Sequence, residues 1–173
     1  MKTPINPLFL VLSGFIFFSG CGGKSNNPVT PATPTLLISL DNSSIDVGQT
    51  VNVTLELKDV SDSVFGIGMQ LDYNNTLAGF DDSTGLEPGD FLGNDIVQFV
   101  RNVDSAAHFS ITKLRGQSGS SGSGVIAILT FRGICSGHFA FKIESDNLNL
   151  YDSNGNSLDI SDFEIGSAEL QIN

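Results

Sequence analysis

Oxygen-bearing side chains alternate at Asp152, Asn154 and Asn156, the spacing of the first ligands in a calcium-binding loop. The glutamate that completes an EF-hand loop does not follow them. Asn154 and Gly155 also form a strong hairpin-turn pair, because both residue types tolerate positive φ. The pattern leaves a turn and a calcium site as alternatives and favours the turn. No cofactor is expected apart from this alternative calcium ion.

Histidine and serine chemistry finds little support in the sequence. His108 and His138 are the only histidines, and no cluster at metal-ligand spacing surrounds them, so both are interpreted as surface residues. Serines and aspartates are abundant enough to leave a Ser-His-Asp triad open, but no Gly-x-Ser-x-Gly elbow supports one. The sequence therefore predicts a protein that is not an enzyme.

The first 34 residues have the pattern of an export and anchoring segment. Lys2 precedes an apolar stretch at 8–18 that is too short to span a bilayer as a stable helix. The next residues, Phe18-Ser19-Gly20-Cys21, resemble the lipobox of bacterial lipoproteins, whose cysteine receives diacylglycerol before cleavage. We predict a signal peptide at 1–20, lipidation of Cys21 and a Pro/Ser/Thr/Asn-rich tether at 21–34. The alternative is an ordinary signal-peptidase site with an incidental cysteine.

The residue after Cys21 bears on where the protein is anchored. It is Gly22 and not the aspartate that resembles an inner-membrane retention signal, so we expect the outer membrane or the cell surface. With Cys21 lipidated, Cys135 is the single thiol of the mature chain. Cys135 is predicted to be a small, partly buried hydrophobic residue.

The chain is strongly acidic. Its formal charge is −11, and removal of residues 1–20 takes away Lys2 and no acid, which gives −11 − 1 = −12. Such a surface repels phosphate backbones and anionic headgroups. Nucleic acid is therefore not expected as a partner.

The segment 125–131 is apolar on both alternating sets of positions. Val125, Ala127, Leu129 and Phe131 form one set, and Ile126 and Ile128 form the other. Seven residues are too few for a buried helix, so we predict a central strand with both faces covered. The Gly/Ser run at 116–124 before it is predicted to be a flexible loop.

Another segment alternates cleanly with a period of two. Its predicted inward residues are Phe65, Ile67, Met69, Leu71 and Tyr73. Its predicted outward residues are Gly66, Gly68, Gln70 and Asp72. The two outward glycines either leave a flat surface that a ligand can approach or mark a bulge in the strand.

About nine such strands, with turns between them and no convincing amphipathic helix, define the fold class. We predict an all-β domain at 35–173, an antiparallel two-sheet β-sandwich with a jelly-roll-like arrangement.

Four motifs give the sequence a family resemblance. They are Gly48–Val53, Met69–Asn74 followed by Leu77, the Gly122/Gly124 lead into Ile128–Phe131, and the turn Asp152–Gly155. In order and spacing they resemble the cohesin domain, the β-sandwich with which bacterial scaffolding proteins bind dockerin modules. The similarity covers about Leu36 to Ile172.

The resemblance implies a function and a binding face. Cohesins bind through one flat sheet face, and the matching outward positions are Gln70, Asp72, Gln98, Val100, His108, Ser110 and Thr112. We therefore expect a lipid-anchored, non-catalytic module that recognises a dockerin-like protein.

A carbohydrate-binding module of the same architecture is the alternative. Sugar-binding sandwiches commonly expose rows of aromatic side chains, but this chain has no Trp and two Tyr, and most of its Phe share the inward parity. A platform for crystalline polysaccharide is therefore disfavoured, whereas a loop site for a short soluble glycan stays open.

Overall fold

The structure is a computed structural model and describes residues 32–173 of the chain. The predicted signal peptide, Cys21 and the tether as far as residue 31 lie outside the described residues. The described chain is almost wholly β-strand, with one short 3-10 helix at Ser145–Asn147. Within it, no helical segment has the length and apolar character of a bilayer span.

Strands are numbered in chain order and form two sheets. Sheet A contains β1 (Thr35–Leu40), β3 (Thr50–Val64), β5 (Ala78–Phe80), β6 (Leu86–Pro88), β9 (Ser120–Gly133) and β12 (Glu164–Ile165). Its order is β12-β1-β3-β9-β5, and β6 also pairs with β9. The long β3–β9 ribbon forms its centre.

Sheet B has a different centre and an open edge. It contains β2 (Ser44–Ile45), β4 (Gly66–Asp72), β7 (Ile96–Val103), β8 (Ala106–Lys113), β10 (Gly137–Lys142), β11 (Leu148–Tyr151) and β13 (Ser167–Ile172). Its order is β2-β13-β10-β4-β8-β7, and β11 also pairs with β4. Strand β4 is thus flanked on both sides, whereas β7 is an edge strand.

The prediction of an all-β sandwich is confirmed. Nine of these strands have four or more residues, and the other four have two or three. Two of the short strands pair in parallel, β12 with β1 and β2 with β13, and the remaining pairs are antiparallel.

The inner faces of the two sheets enclose one apolar core. Phe131 of β9 lies near its centre, with ring centroids 4.8 Å from those of Tyr73 and Phe141 and 5.1 Å from that of Phe80. These contacts join strands of both sheets, and burial of each aromatic side chain contributes about 1.5–3 kcal/mol. No polar or charged residue is buried within residues 32–173.

Strand β9 departs from the predicted alternation. Leu55 pairs with Ala127 and the next residue, Glu56, pairs with Val125, so Ile126 is an extra residue that forms a β-bulge. The bulge shifts the parity, because Ile126 and Ala127 are both buried and Val125 shares the outer side with Glu56. The bulge accounts for the burial of Ile126, whereas Ile128 lies half-buried on the outer side opposite Thr54. The outer side ends in the exposed Thr130, so the predicted cover on both faces is wrong.

The Gly/Ser run is also more ordered than predicted. Strand β9 begins at Ser120, and Gly122 and Gly124 pair with Val60 and Leu57 of β3. A side chain at Gly124 would come within 3.3 Å of the Asp90 carboxylate and 3.2 Å of the Phe91 backbone, which explains the glycine there. Only residues 116–119 of the predicted loop lie outside a strand.

Candidate binding face

The outer side of β4 and β8 carries most of the residues predicted to contact a partner. These are Gln70, Asp72, His108, Ser110 and Thr112. They share one side because the antiparallel register places Gln70 opposite His108, while the alternate residues of β8, such as Phe109, are buried. His108 and Ser110 are exposed, and the other three are half-buried.

Strand β7 presents the opposite parity from the one predicted. Gln98 pairs with Ile111 and Val100 pairs with Phe109, so both lie on the inner side of the sheet, and Val100 packs against the core. The prediction that Gln98 and Val100 face outward with the rest is therefore wrong. The reason is that β7 is apolar on both sets of positions, and the pattern alone could not choose between them.

Three outward residues of β7 take the place of Gln98 and Val100. They are Val97, Phe99 and Arg101, which pair with outward residues of β8. Phe99 is 68% exposed, the highest value among the large hydrophobic residues of the described chain. The register of β7 is set at the two-residue turn Asp104-Ser105, across which Val103 and Ala106 pair. Both turn residues have positive φ, but Asp-Ser is not a common pair for such a turn.

Gly66 and Gly68 of β4 form the floor of a shallow groove along this face. Gly68 pairs regularly with Ser110 on one side and Asn149 on the other, so the strand has no bulge there. A Cβ built on Gly68 would lie 4.0 Å from the Cβ of Asn149, an ordinary contact, so packing does not require glycine at this position. Glycine in a strand costs stability. What it provides here is an open surface, which favours the ligand-approach alternative over the bulge.

The groove consists of two hollows that meet at Gly68 and Ser110. One, of about 570 Å³, extends towards Phe99, Arg101 and Asn149. The other, of about 460 Å³, extends towards Tyr151 and the turn that follows it. An exposed aromatic residue thus stands at each hollow.

The larger hollow differs in charge from the rest of the domain. The chain has 19 Asp and Glu against 8 Lys and Arg, yet no carboxylate lines this hollow, and Arg101 is the one Lys or Arg among its described lining residues. Within residues 32–173, Arg101 has no carboxylate at salt-bridge distance. The one acid of β4, Asp72, accepts a 2.7 Å hydrogen bond from Nε2 of Gln70. The hollow therefore offers an apolar ring, a guanidinium and amide groups.

The Asp152 segment has the contacts of a turn. Oδ1 of Asp152 accepts hydrogen bonds of 2.8 Å from the backbone N–H groups of Asn154 and Asn156, and Oδ2 accepts one of 2.9 Å from Nδ2 of Asn156. These bonds hold the pKa of Asp152 below its ordinary value, and those from Asn156 contribute most to the lowering. Gly155 has φ of +81°. Both carboxylate oxygens thus have turn donors, which supports the turn alternative over calcium.

Other predicted reactive residues lie outside the groove. His138 is exposed, with Nε2 3.5 Å from a carboxylate oxygen of Glu169. Cys135 is exposed in the connection after β9, so the prediction that it is partly buried is wrong. Among residues 32–173, no group of three His, Cys, Asp or Glu side chains could hold a metal ion.

Comparison with known proteins identifies related sequences and folds. A family model described as "Cohesin domain" matches residues 37–162. No curated protein sequence matches the chain significantly.

Solved structures share the sandwich at low sequence identity. A type II cohesin domain from the cellulosome of Acetivibrio cellulolyticus has a TM-score of 0.68 at 18% identity, with 80% of this chain and 95% of that chain covered. A non-cellulosomal cohesin from Archaeoglobus fulgidus has a TM-score of 0.63 at 19% identity, with 82% and 92% covered. A type II cohesin–X-dockerin complex from Acetivibrio cellulolyticus has a TM-score of 0.68 at 14% identity, with 81% and 99% covered. The resemblance of the fold to cohesin modules is confirmed.

Proposed function

Because this chain belongs to the cohesin domain family, we propose that its domain at 35–173 binds a dockerin-like protein module through the outer side of sheet B. Cohesin domains are non-catalytic modules with a protein-binding role. One of the similar solved structures is a cohesin in a complex with an X-dockerin. A protein partner is therefore the first class of ligand to test.

The observation that carries this proposal is the uncovered groove with Phe99 at its side. A large aromatic side chain that is 68% exposed contributes little to folding, but it contributes strongly to association when a partner removes it from water. The glycine floor lets the partner come close to the backbone of β4. We infer that Phe99 is the main apolar contact, with Gln70, His108 and Ser110 around it.

The charge of the hollow indicates what the partner presents beside its apolar contact. Among residues 32–173 the Arg101 guanidinium has no carboxylate at salt-bridge distance, and no carboxylate lines the hollow with it. Arg forms two parallel hydrogen bonds with a carboxylate. The matching partner surface therefore carries an Asp or Glu next to an apolar residue, and this pair sets the orientation of binding.

The remainder of the proposal concerns location. We infer export by the segment at 1–20, lipidation at Cys21 and a tether at 21–34 that holds the domain at the cell envelope. The support is the apolar stretch, the lipobox-like sequence and the proline-containing segment.

A short soluble glycan is the second candidate ligand. Two exposed aromatic residues, Phe99 and Tyr151, line hollows that share polar groups such as Ser110, and an exposed aromatic face beside polar groups suits a sugar ring.

One experiment separates the two ligand classes. The purified domain is tested against a panel of dockerin modules and against a glycan array, in parallel with a variant that carries Gln70→Ala, Phe99→Ala and Ser110→Ala. A matched control carries Thr54→Ala and Thr130→Ala on the outer side of sheet A, where both residues face away from the core. We expect dockerin capture by the wild type and the control but not by the face variant. Glycan binding without dockerin capture would reverse the order of the two candidates.

A further inference from the structure

The edge strand β7 carries the main apolar contact of the binding face but has few partners of its own. Within the described chain it pairs with β8 alone, and no strand covers its other edge. An edge strand held from one side moves more easily than a central strand. The position of Phe99 therefore depends on what else fixes β7.

One side-chain amide ties β7 to the rest of the domain. Asn102 lies opposite the buried Ala107 in the register of β7 and β8, although Asn102 is itself exposed at the sheet edge. Its Oδ1 accepts a hydrogen bond of 2.9 Å from the hydroxyl of Tyr73, which directly follows β4. Its Nδ2 donates one of 3.1 Å to the backbone carbonyl of Phe80, which belongs to β5 in sheet A. The amide therefore joins β7 to the residue after β4 and to a strand of the opposite sheet.

The chemistry of these contacts selects asparagine. The Phe80 carbonyl can only accept, so the amide NH₂ must face it, and the amide oxygen is then left for the Tyr73 hydroxyl. Aspartate has no donor for the carbonyl, and an apolar residue has neither group. Tyr73 is 6% exposed, and burial raises its pKa although the bond to Asn102 lowers it. The hydroxyl is thus a neutral donor that requires a nearby acceptor.

We propose that Asn102 is a positioning residue, which holds β7 so that Phe99 and Arg101 stand on the binding face before a partner arrives. Asn102 is three residues from Phe99, about 10 Å along an extended strand, and adjacent to Arg101. A contact residue that is already ordered loses less conformational entropy on binding. The effect on affinity rests on the proposed function, whereas the effect on the free domain does not.

The test compares variants that break this tie with a variant that breaks a similar bond elsewhere. Asn102→Ala removes both hydrogen bonds, and Tyr73→Phe removes the hydroxyl while it keeps the ring on Phe131, 4.8 Å away. Asn52→Ala is the matched control, because its Oδ1 accepts a 2.9 Å bond from the Thr130 hydroxyl within sheet A. Amide hydrogen exchange of the free domain, resolved by residue, is measured for each variant together with the dissociation rate from a captured dockerin.

We expect faster exchange in β7 (Ile96–Val103) for Asn102→Ala, by about tenfold, and a smaller increase for Tyr73→Phe. In both of these variants, amide exchange in β3 and β9 should equal that of the wild type. In Asn52→Ala, amide exchange in β7 should equal that of the wild type. A variant that combines Asn102→Ala with Tyr73→Phe should resemble Asn102→Ala alone, because the two residues share one hydrogen bond. Dissociation of a dockerin should be about three- to tenfold faster for Asn102→Ala.

Two results would overturn the inference. One is β7 exchange in Asn102→Ala that equals that of Asn52→Ala. The other is faster β7 exchange with an unchanged dissociation rate. If the wild type captures no dockerin, the proposed function fails, and exchange in the free domain still decides whether Asn102 holds β7.

Discussion

Truncation of Phe99 to alanine tests the proposed binding face most directly. A fully covered aromatic side chain buries about 150–250 Å². With 68% of Phe99 exposed in the free domain, a partner can remove roughly 140 Å² from water, which is worth about 3.5 kcal/mol at about 25 cal/mol per Å². This is an upper limit, because coverage is incomplete and alanine retains part of the contact. We expect a loss of about 2 kcal/mol, a Kd about 30-fold higher.

The same substitution should change folding little. Phe99 contributes little buried surface to the free domain, so the free energy of unfolding should stay within about 1 kcal/mol of the wild type. Isothermal titration with the captured dockerin gives Kd, and urea denaturation gives stability. The matched control is Ile134→Ala, which truncates a residue 49% exposed in the connection after β9, away from the groove. A Kd that is equal for Phe99→Ala and Ile134→Ala would refute the assignment of the face.

Three further predictions concern the groove, the Asp152 turn and the proposed lipidation of Cys21. Gly68→Ala should fold and be slightly more stable than the wild type, since its Cβ meets only Asn149 at 4.0 Å. It should bind dockerin several-fold more weakly, because the added Cβ stands on the groove floor. Thermal unfolding measures the stability, and titration measures the Kd. Asp152 has a folded pKa below its ordinary value of 3.8, so the stability it contributes is present above that value and is lost as pH falls through the folded pKa. The melting temperature should therefore drop on acidification below about pH 3.8, and less so in Asp152→Asn; equal drops would exclude this contribution. Cys21→Ser should abolish incorporation of a labelled fatty acid and release the protein from the membrane fraction, and retention with label would show another anchor.

The sequence was most informative where one side of a strand is buried and the other is wet. Strand β4 has apolar residues on one parity and glycine or polar residues on the other. The structure keeps that division, because Ile67 and Met69 are buried in the core and Gln70 lies on the outer side. The same holds for β8, so five of the seven predicted contact residues share one side. Clear alternation determines orientation because a shift by one residue would expose the whole apolar set.

The pattern failed where the physical constraint was not local. Strand β7 is apolar on both parities, so its pattern does not choose an inner side, and its register depends on the Asp104-Ser105 turn. Strand β9 contains an extra residue at Ile126, and a bulge is invisible to a pattern that assumes strict alternation. Asn102 could not be identified from the sequence at all, since its two partners are 29 and 22 residues away along the chain.

The route by which the chain passes between the sheets has a mechanical consequence. Strand β1, which follows residue 34, belongs to sheet A, whereas the proposed face is on sheet B. Tension applied between the preceding chain and a bound partner must therefore cross the apolar layer, where resistance comes from many weak dispersion contacts. Strand β3 of sheet A is connected to β4 of sheet B by Phe65 alone. This one-residue connection limits how far the two sheets can move past each other.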